Sequence, residues 1–355
     1  MNMLAAKEKV VLSAALFATI ASAVLAAIHA AAVLQFVFCG ITLAALASTV
    51  GTATEQVGER LSPGATGVLQ GAVGNLPEFF VGIFSLRAGL VTVVQSALVG
   101  SILANNLLVL GLAFLAGGLK NGTQRFSKDQ PRMIASLMLL SVAAIIVPTL
   151  AQALHTPASY HIGGFTVAVS VVLLIVFIAS IPFSLKAGAP TCVENLEQEH
   201  GPVWPLWLSI TTLIAAGVGA AFVSDWFVDA MQPAITILHL SQAFTGLVVV
   251  AIAGNAVENV VGIQLAVRNQ MDYAVSVILN SALQVALGLT PVLCLLSFII
   301  GGTHLTLVMP PLLVGALFLS TLVSTIVVYD GESIWLEGAA LIGLYVIIAA
   351  AFWWG

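Results

Sequence analysis

Charged residues are scarce in this sequence. Only 7% of its 355 residues are Asp, Glu, Lys or Arg, whereas about a quarter of a typical soluble domain is charged. Hydrophobic residues make up 60% of the chain, and they occur in long runs that match the roughly 20 apolar residues a helix needs to cross a bilayer. The composition excludes a soluble globular fold and predicts an all-α polytopic membrane protein.

Cysteine is also rare, and no basic patch is present. Cys39, Cys192 and Cys294 lack metal-ligand or redox spacing, so the sequence predicts neither a disulfide framework nor a zinc site. The net charge of −5 gives no surface for nucleic acid. Within the apolar runs, no Ser, Cys or His nucleophile has a suitably placed base, so we expect no enzyme and no cofactor. The expected partners are lipid, transported ions and, as an open alternative, further copies of the chain.

Apolar runs bounded by charges, prolines and glycines predict eleven membrane-spanning helices. The first run is interpreted as a retained span, not a signal peptide, because it is long and lacks a polar cleavage region. The predicted spans cover residues 10–28, 31–54, 64–86, 91–117, 132–153, 161–182, 205–224, 243–267, 272–299, 308–328 and 335–353.

The distribution of Lys and Arg predicts the orientation of these spans. Basic residues near span ends stay on the cytoplasmic side. If the N-terminus is cytoplasmic, nine of the ten Lys and Arg residues lie inside and only Arg87 lies outside. One missed or additional helix would reverse every later loop, so this split supports eleven spans and an external C-terminus. Short tails without a transit segment predict a prokaryotic cell (inner) membrane.

The chain resembles itself at an offset of 180 residues. The segment GNLPEFFVGI at 74–83 aligns with GNAVENVVGI at 254–263, with six of ten positions identical, and the register continues through Ser101 and Ser281. Each copy holds five predicted spans. Since five is odd, the second copy enters the membrane with the opposite orientation, as in the inverted repeats of many secondary transporters.

This repeat predicts four parts of the chain. Residues 1–30 form an extra N-terminal transmembrane helix, 31–185 the first five-helix repeat, 186–203 an acidic cytoplasmic linker and 204–355 the second, inverted repeat. The linker contains Glu194, Glu197, Glu199 and His200. It is interpreted either as a solvated connector or as a cation-attracting, regulatory segment.

Glu78 and Glu258 occupy equivalent positions deep within two apolar runs. An ionised carboxylate at this depth is costly, so it marks a functional site by default. A lone glutamate could instead cap a broken helix, but two in equivalent positions favour a shared site. Two protons or one divalent cation would neutralise the pair, and we expect these two residues to be the metal ligands.

Polar residues near each glutamate supply further oxygen ligands. The preceding Gly-Asn pairs favour a helix break, and Pro77 removes a backbone donor. Amide, hydroxyl and carboxylate oxygens suit a hard cation such as Ca²⁺, although any single polar side chain could instead bond another helix. The remaining predicted cation- and proton-binding residues are Asn75, Asn255, Ser101, Asn105, Ser281 and Gln284.

Two further acids are predicted to lie near opposite membrane faces. Glu55 ends the second predicted span, and Asp225 follows the seventh. They are interpreted as entrance residues for the cation, with solvated helix ends as the alternative.

The motifs around the two glutamates resemble those of the calcium/cation antiporter superfamily, in particular its cation/proton exchanger branch, often called CAX. The resemblance rests on the segments Gly74-Asn-x-x-Glu78, Gly254-Asn-Ala-x-Glu258, Gly100–Asn105 and Ser281-Ala-Leu-Gln284. It implies exchange of Ca²⁺ for protons by alternating access, with Glu78 and Glu258 as shared carriers and Asn105 and Gln284 as nearby amides.

Two positions depart from the family pattern and leave ion preference open. Asn259 stands where family members usually have His, and Asn280 replaces a usual Gly. The sodium/calcium branch would be expected to show additional intramembrane Asp ligands, so their absence favours protons over Na⁺. The alternatives are a K⁺ or Na⁺/proton antiporter of the same fold and a passive cation channel.

Overall fold

The computed structural model describes residues 6–61, 69, 73–186, 204–300 and 303–353. Most of the predicted linker, including Glu194, Glu197, Glu199 and His200, lies outside the described residues, as does Cys192. The interpretations of the linker therefore stay predictions.

Apolar helices dominate the described chain. The α-helices are α1 (Ala6–Ala27), α2 (Ala32–Gly58), α3 (Leu76–Arg87), α4 (Val91–Leu103), α5 (Leu110–Asn121), α6 (Asp129–Ala153), α7 (Ile162–Lys186), α8 (Leu206–Leu238), α9 (Gln242–Phe244), α10 (Ala251–Gly254), α11 (Ala256–Val267), α12 (Met271–Gln284), α13 (Thr290–Ile300), α14 (Pro311–Val327) and α15 (Trp335–Trp353).

Three π-helical segments join pairs of these helices. They cover Ala104–Val109 between α4 and α5, Thr245–Val250 between α9 and α10, and Val285–Leu289 between α12 and α13. A 3₁₀ turn, Pro157–His161, precedes α7. The short strands β1 (Gln124–Arg125) and β2 (Glu332–Ser333) pair antiparallel, with Gln124 opposite Ser333 and Arg125 opposite Glu332.

Eight described helical segments are long and apolar enough to cross a membrane, and a bent pair formed by 242–254 and 258–267 makes a ninth. The shorter apolar helix α14 and helix α3 fall on the two remaining predicted spans. Helix α8 continues to Leu238, well past residue 224, because Asp225 and Asp229 are exposed on it and do not interrupt its backbone. The protein is thus a helical membrane protein, while the count of eleven spans stays a prediction.

The chain divides into two compact units. The first unit comprises residues 1–84, 180–240 and 253–257, and the second comprises 85–179, 241–252 and 258–355. Glu78 belongs to the first unit and Glu258 to the second.

Helices α2 and α8 pack antiparallel along their length in the first unit. Near the start of α2, Gln35 Nε2 donates to the Trp226 carbonyl over 3.2 Å, and Phe36 stacks on Phe227 with ring centroids 4.7 Å apart. At its other end, Gln56 Oε1 accepts from the Trp204 backbone N–H over 2.8 Å. These contacts fix the start of α2 against the interior of α8 at Trp226 and the end of α2 against Trp204, just before α8 begins.

Small residues allow close backbone contact in the second unit. A Cβ added at Gly100 would lie 2.5 Å from Leu247 Cα, and one at Gly246 would lie 2.9 Å from Ala97 N, so α4 and the π-segment 245–250 touch backbone to backbone. A Cβ at Gly111 would lie 2.8 Å from the Gly338 carbonyl oxygen, which brings α5 and α15 equally close. Close approach through glycine is typical of helix packing in membranes.

An extended segment, Leu305–Met309, is also buried in the second unit. Gln95 Nε2 donates to the carbonyls of Thr306 and Val308 over 2.9 and 2.8 Å. Thr149 Oγ1 donates to the Leu307 carbonyl and accepts from Met309 N–H. Buried backbone polar groups need hydrogen-bond partners, and side chains of α4 and α6 supply them here.

Candidate cation site

Glu78 lies in the first turn of α3, where its side chain is buried with 9% exposure. Asn255 Nδ2 donates a hydrogen bond to Glu78 Oε1 over 2.7 Å, and Asn255 is 1% exposed. The two residues come from the two sequence motifs that match at an offset of 180, and both belong to the first unit. The structure therefore pairs the acid of one motif with the amide of the other.

Gly254 leaves room for this carboxylate. A Cβ added at Gly254 would lie 2.5 Å from Glu78 Oε1 and 2.8 Å from Glu78 Cδ. Such distances are too short for any real Cβ, and the neighbour is the carboxylate itself. Gly254 therefore packs directly against the Glu78 carboxylate.

Each glutamate follows an interruption in its helix. Gly74 and Asn75 form a turn before α3 begins at Leu76, and the Asn75 carbonyl accepts from Phe79 N–H over 2.9 Å. Asn255 lies between α10 and α11, where the two arms of the bent pair meet at 62°. These breaks place Glu78 and Glu258 in the first turns of α3 and α11, as the Gly-Asn pairs predict.

The second unit gathers the polar residues of the following helices. Asn105 Nδ2 donates to Ser281 Oγ over 3.2 Å, which joins the π-segment after α4 to helix α12. Ser101, one turn before Asn105, is 1% exposed, and Gln284 is half-buried at the end of α12. The predicted residues of two different motifs thus meet here as well. Both helices turn π-helical next to this contact, a distortion frequent at functional sites.

The predicted residues form two groups in the structure. Glu78, Asn255 and Asn75 belong to the first unit, while Glu258, Ser101, Asn105, Ser281 and Gln284 belong to the second. Among the described residues no three His, Cys, Asp or Glu side chains cluster as a metal site. Each group combines a glutamate with amide or hydroxyl oxygens, and Ca²⁺ accepts such oxygen ligands.

The two candidate entrance residues lie near opposite ends of α2. Glu55 is half-buried in the last turn of α2. Asp225 is exposed on α8, next to Trp226, whose carbonyl is bonded to Gln35 at the other end of α2. Gln35 and Glu55 are twenty residues apart, about 30 Å along a helix, which matches the hydrocarbon thickness of a bilayer.

Two further asparagines, Asn106 and Asn259, carry buried side-chain oxygens next to the predicted residues. Asn106 is fully buried and its Nδ2 lies 3.7 Å from Met138 Sδ, so it points toward α6 while Asn105 points toward α12. Asn106 Oδ1 and Asn259 Oδ1 have no donor among the described residues. Their signal in the sequence is an amide inside an apolar run, but the run alone does not tell which side each amide faces.

These features define a class of integral membrane protein in which glutamates follow interruptions in apolar helices, the arrangement of ion transporters. The chain belongs to the family of sodium/calcium exchanger proteins, whose model matches residues 31–186 and 208–354. Members of this class move ions and are not enzymes.

Curated relatives place the chain within the cation/proton exchanger branch of this family. It is 34% identical over 335 residues to a Ca²⁺/H⁺ antiporter of Synechocystis, covering 89% of this chain and 90% of that protein. It is 33% identical over 329 residues to the Ca²⁺/H⁺ antiporter ChaA of Bacillus subtilis, covering 90% of this chain and 92% of that protein. The solved structure of native YfkE matches with a TM-score of 0.82 at 29% identity, over 98% of this chain and 99% of that chain.

Proposed function

We propose that this protein exchanges Ca²⁺ for protons across a membrane by alternating access, with Glu78 and Glu258 as the residues that bind either the cation or protons. The buried Glu78 carboxylate held by Asn255 is the observation that carries this proposal. Support also comes from the relatives, since the Synechocystis and Bacillus subtilis proteins are named as Ca²⁺/H⁺ antiporters.

Charge neutralisation couples the two ions. An empty pair of ionised carboxylates is strongly disfavoured in a dry, occluded site, because each buried charge loses its hydration. Two protons or one Ca²⁺ remove most of this cost. The protein therefore changes between its two open states only when the site is loaded, and binding of Ca²⁺ and protons is competitive.

The two glutamates converge, in this proposal, through two inverted five-helix repeats that follow one extra N-terminal helix. The equivalent residues Gly89 and Asn269 support this repeat, since both adopt left-handed backbone conformations after α3 and α11, with φ of 76° and 61°. The π-segments also end at the equivalent residues Val109 and Leu289. Asn75, Ser101, Asn105, Ser281 and Gln284 complete the oxygen set, and Glu55 and Asp225 line the two entrances.

Reconstituted vesicles test this function directly. The purified protein is placed in proteoliposomes with a pH-sensitive dye inside, and Ca²⁺ is added outside. We expect Ca²⁺-driven proton movement in the wild type and its loss in Glu78→Gln and in Glu258→Gln, with both variants still folded. Glu332→Gln is the matched control, because Glu332 lies in an exposed ion pair with Arg125 and should keep full exchange.

The same vesicles separate the alternatives. Proton movement driven by K⁺ or Na⁺ but not by Ca²⁺ would identify a monovalent cation/proton antiporter. Cation flux without proton counterflow would identify a passive channel. Full exchange in both glutamine variants would contradict the assignment of the two glutamates.

A further inference from the structure

Asn259 carries a buried side-chain oxygen next to Glu258. It lies in the first turn of α11, and its Oδ1 has no hydrogen-bond donor among the described residues. A buried amide oxygen without a donor costs free energy, so native proteins keep such groups mainly where they serve a ligand, an ion or a water molecule. The neighbouring carboxylate makes a cation the chemically consistent ligand.

Gly262 shows which way Asn259 faces. Residues three apart in a helix share a face. A Cβ added at Gly262 would lie 2.8 Å from Ile278 Cγ1 of α12 and 3.6 Å from Val109 Cγ1. Asn259 therefore lies on the face of α11 that packs against α12 and the π-segment 104–109.

The level of Asn259 along these helices follows from their directions. Helices α11 and α12 are joined by residues 268–270 and run antiparallel. Gly262 lies opposite Ile278. Asn259, three residues before Gly262, therefore lies opposite Ser281, three residues after Ile278. Each step is about 4.5 Å. Ser281 is bonded to Asn105, one turn before Val109. Asn259 thus lies level with the Asn105–Ser281 contact.

We propose that Asn259 is a specificity-determining residue that offers its neutral side-chain oxygen to the transported divalent cation beside Glu258. This inference rests on the proposed function. An amide oxygen binds Ca²⁺ but is not protonated, so it strengthens cation binding without a matching gain for protons. The equivalent residue in the other motif is Phe79, whose ring packs edge-on against Phe80 and offers no oxygen. The cation site is therefore asymmetric between the two repeats.

Transport kinetics in proteoliposomes test this role. We expect Asn259→Leu to raise the KM for Ca²⁺ about tenfold, while kcat stays within twofold of the wild type, because the lost contact is made equally in the ground and transition states. Asn259→Asp keeps an oxygen at this position and should keep the KM at or below the wild-type value. Asn106→Leu is the matched control: its amide oxygen is also buried without a described donor, but it faces Met138 and not α12.

The outcomes distinguish this inference from the proposed function. A wild type that shows no Ca²⁺-driven proton movement would refute the exchange itself. A wild type that exchanges normally, combined with an unchanged KM in Asn259→Leu or an equal rise in Asn106→Leu, would refute only the role of Asn259. If Asn259→Leu does not fold, the Asp variant decides, because a KM raised about tenfold there would also contradict the proposal.

Discussion

In the proposed exchange cycle, Asn255 serves both the proton-loaded and the cation-loaded state. Its Nδ2 donates to Glu78 Oε1, and an amide also has an oxygen that can accept or bind a cation. Sequence spacing predicted both residues as part of one site. It could not predict that they are hydrogen-bonded to each other, because 177 residues separate them and the contact depends on how the two motifs meet.

Gly254→Ala tests how closely the Glu78 carboxylate must be held. The new methyl group would overlap Glu78 Oε1 and Cδ, so the carboxylate must move away from Asn255. We expect the Ca²⁺/proton exchange rate to fall by about tenfold or more, since misplacing a reacting group by about 1 Å costs this much or more. Proton movement in proteoliposomes is the measurement.

Gly343→Ala is the control for this substitution. A Cβ there meets nothing within 4 Å, so exchange should remain at the wild-type rate. Full activity in Gly254→Ala would contradict the close contact with Glu78.

The ends of the interrupted helices distinguish the two motifs. Helix α3 ends before Gly89, and α11 ends before Asn269. The end of α11 is also hydrogen-bonded by Gln124 of strand β1. Gln124 Nε2 donates to the Ala266 carbonyl and to Asn269 Oδ1 over 3.0 and 2.8 Å. The end of the helix that carries Glu258 is thus tied to strand β1.

Gln124→Leu should destabilise the protein. The leucine removes the two hydrogen bonds that Gln124 Nε2 makes at the end of α11, each of which contributes about 0.5–1.5 kcal/mol. We expect a melting temperature several degrees below that of the wild type in detergent. Arg125→Ala should shift it far less, because Arg125 belongs to an exposed ion pair of 3.1 Å. Equal shifts in both variants would show that the Gln124 contacts contribute nothing specific.

The extended segment Leu305–Met309 provides a second test of stability. In Thr149→Val, the valine side chain has nearly the same shape as threonine but cannot form the hydrogen bonds to the Leu307 carbonyl and the Met309 N–H. We expect a loss of about 1–2 kcal/mol, since hydrogen bonds between membrane-protein elements are modest individually.

Thr325→Val is the matched variant for comparison. Among the described residues, its hydroxyl bonds to the Thr321 carbonyl of its own helix alone, so the melting temperature should stay close to that of the wild type. A Thr149 variant as stable as the Thr325 variant would mean that the extended segment does not need its side-chain partners.

The sequence predicted the positions of the helices better than their shapes. Apolar runs located α6 and α15 nearly to their ends, because hydrophobicity alone defines a membrane helix. The π-segments and the extended segment could not be predicted this way. They depend on contacts such as Gln95 with Thr306, which join residues more than two hundred positions apart.

At the scale of the molecule, loop pairing agrees with the predicted number of spans. Strands β1 and β2 pair, so the loop after α5 and the loop after α14 lie on the same side of the membrane. An even number of crossings must therefore separate them, and six of the predicted spans lie between the two loops. The pairing therefore fixes the two loops to one side of the membrane.

Cysteine labelling from each side of the membrane tests the predicted orientation. Arg125 and Tyr160 have exposed side chains, with 82% and 84% exposure, and they flank helix α6. The 25 residues of α6 span about 37 Å, more than the roughly 30 Å of the hydrocarbon core, so the two positions must lie on opposite sides.

In a background with Cys39, Cys192 and Cys294 replaced, we expect a membrane-impermeant maleimide to label Tyr160→Cys in intact cells. Arg125→Cys should react only in inverted vesicles, because basic loops stay in the cytoplasm. Labelling of both from one side would exclude α6 as a span, and the reverse pattern would invert the entire predicted topology.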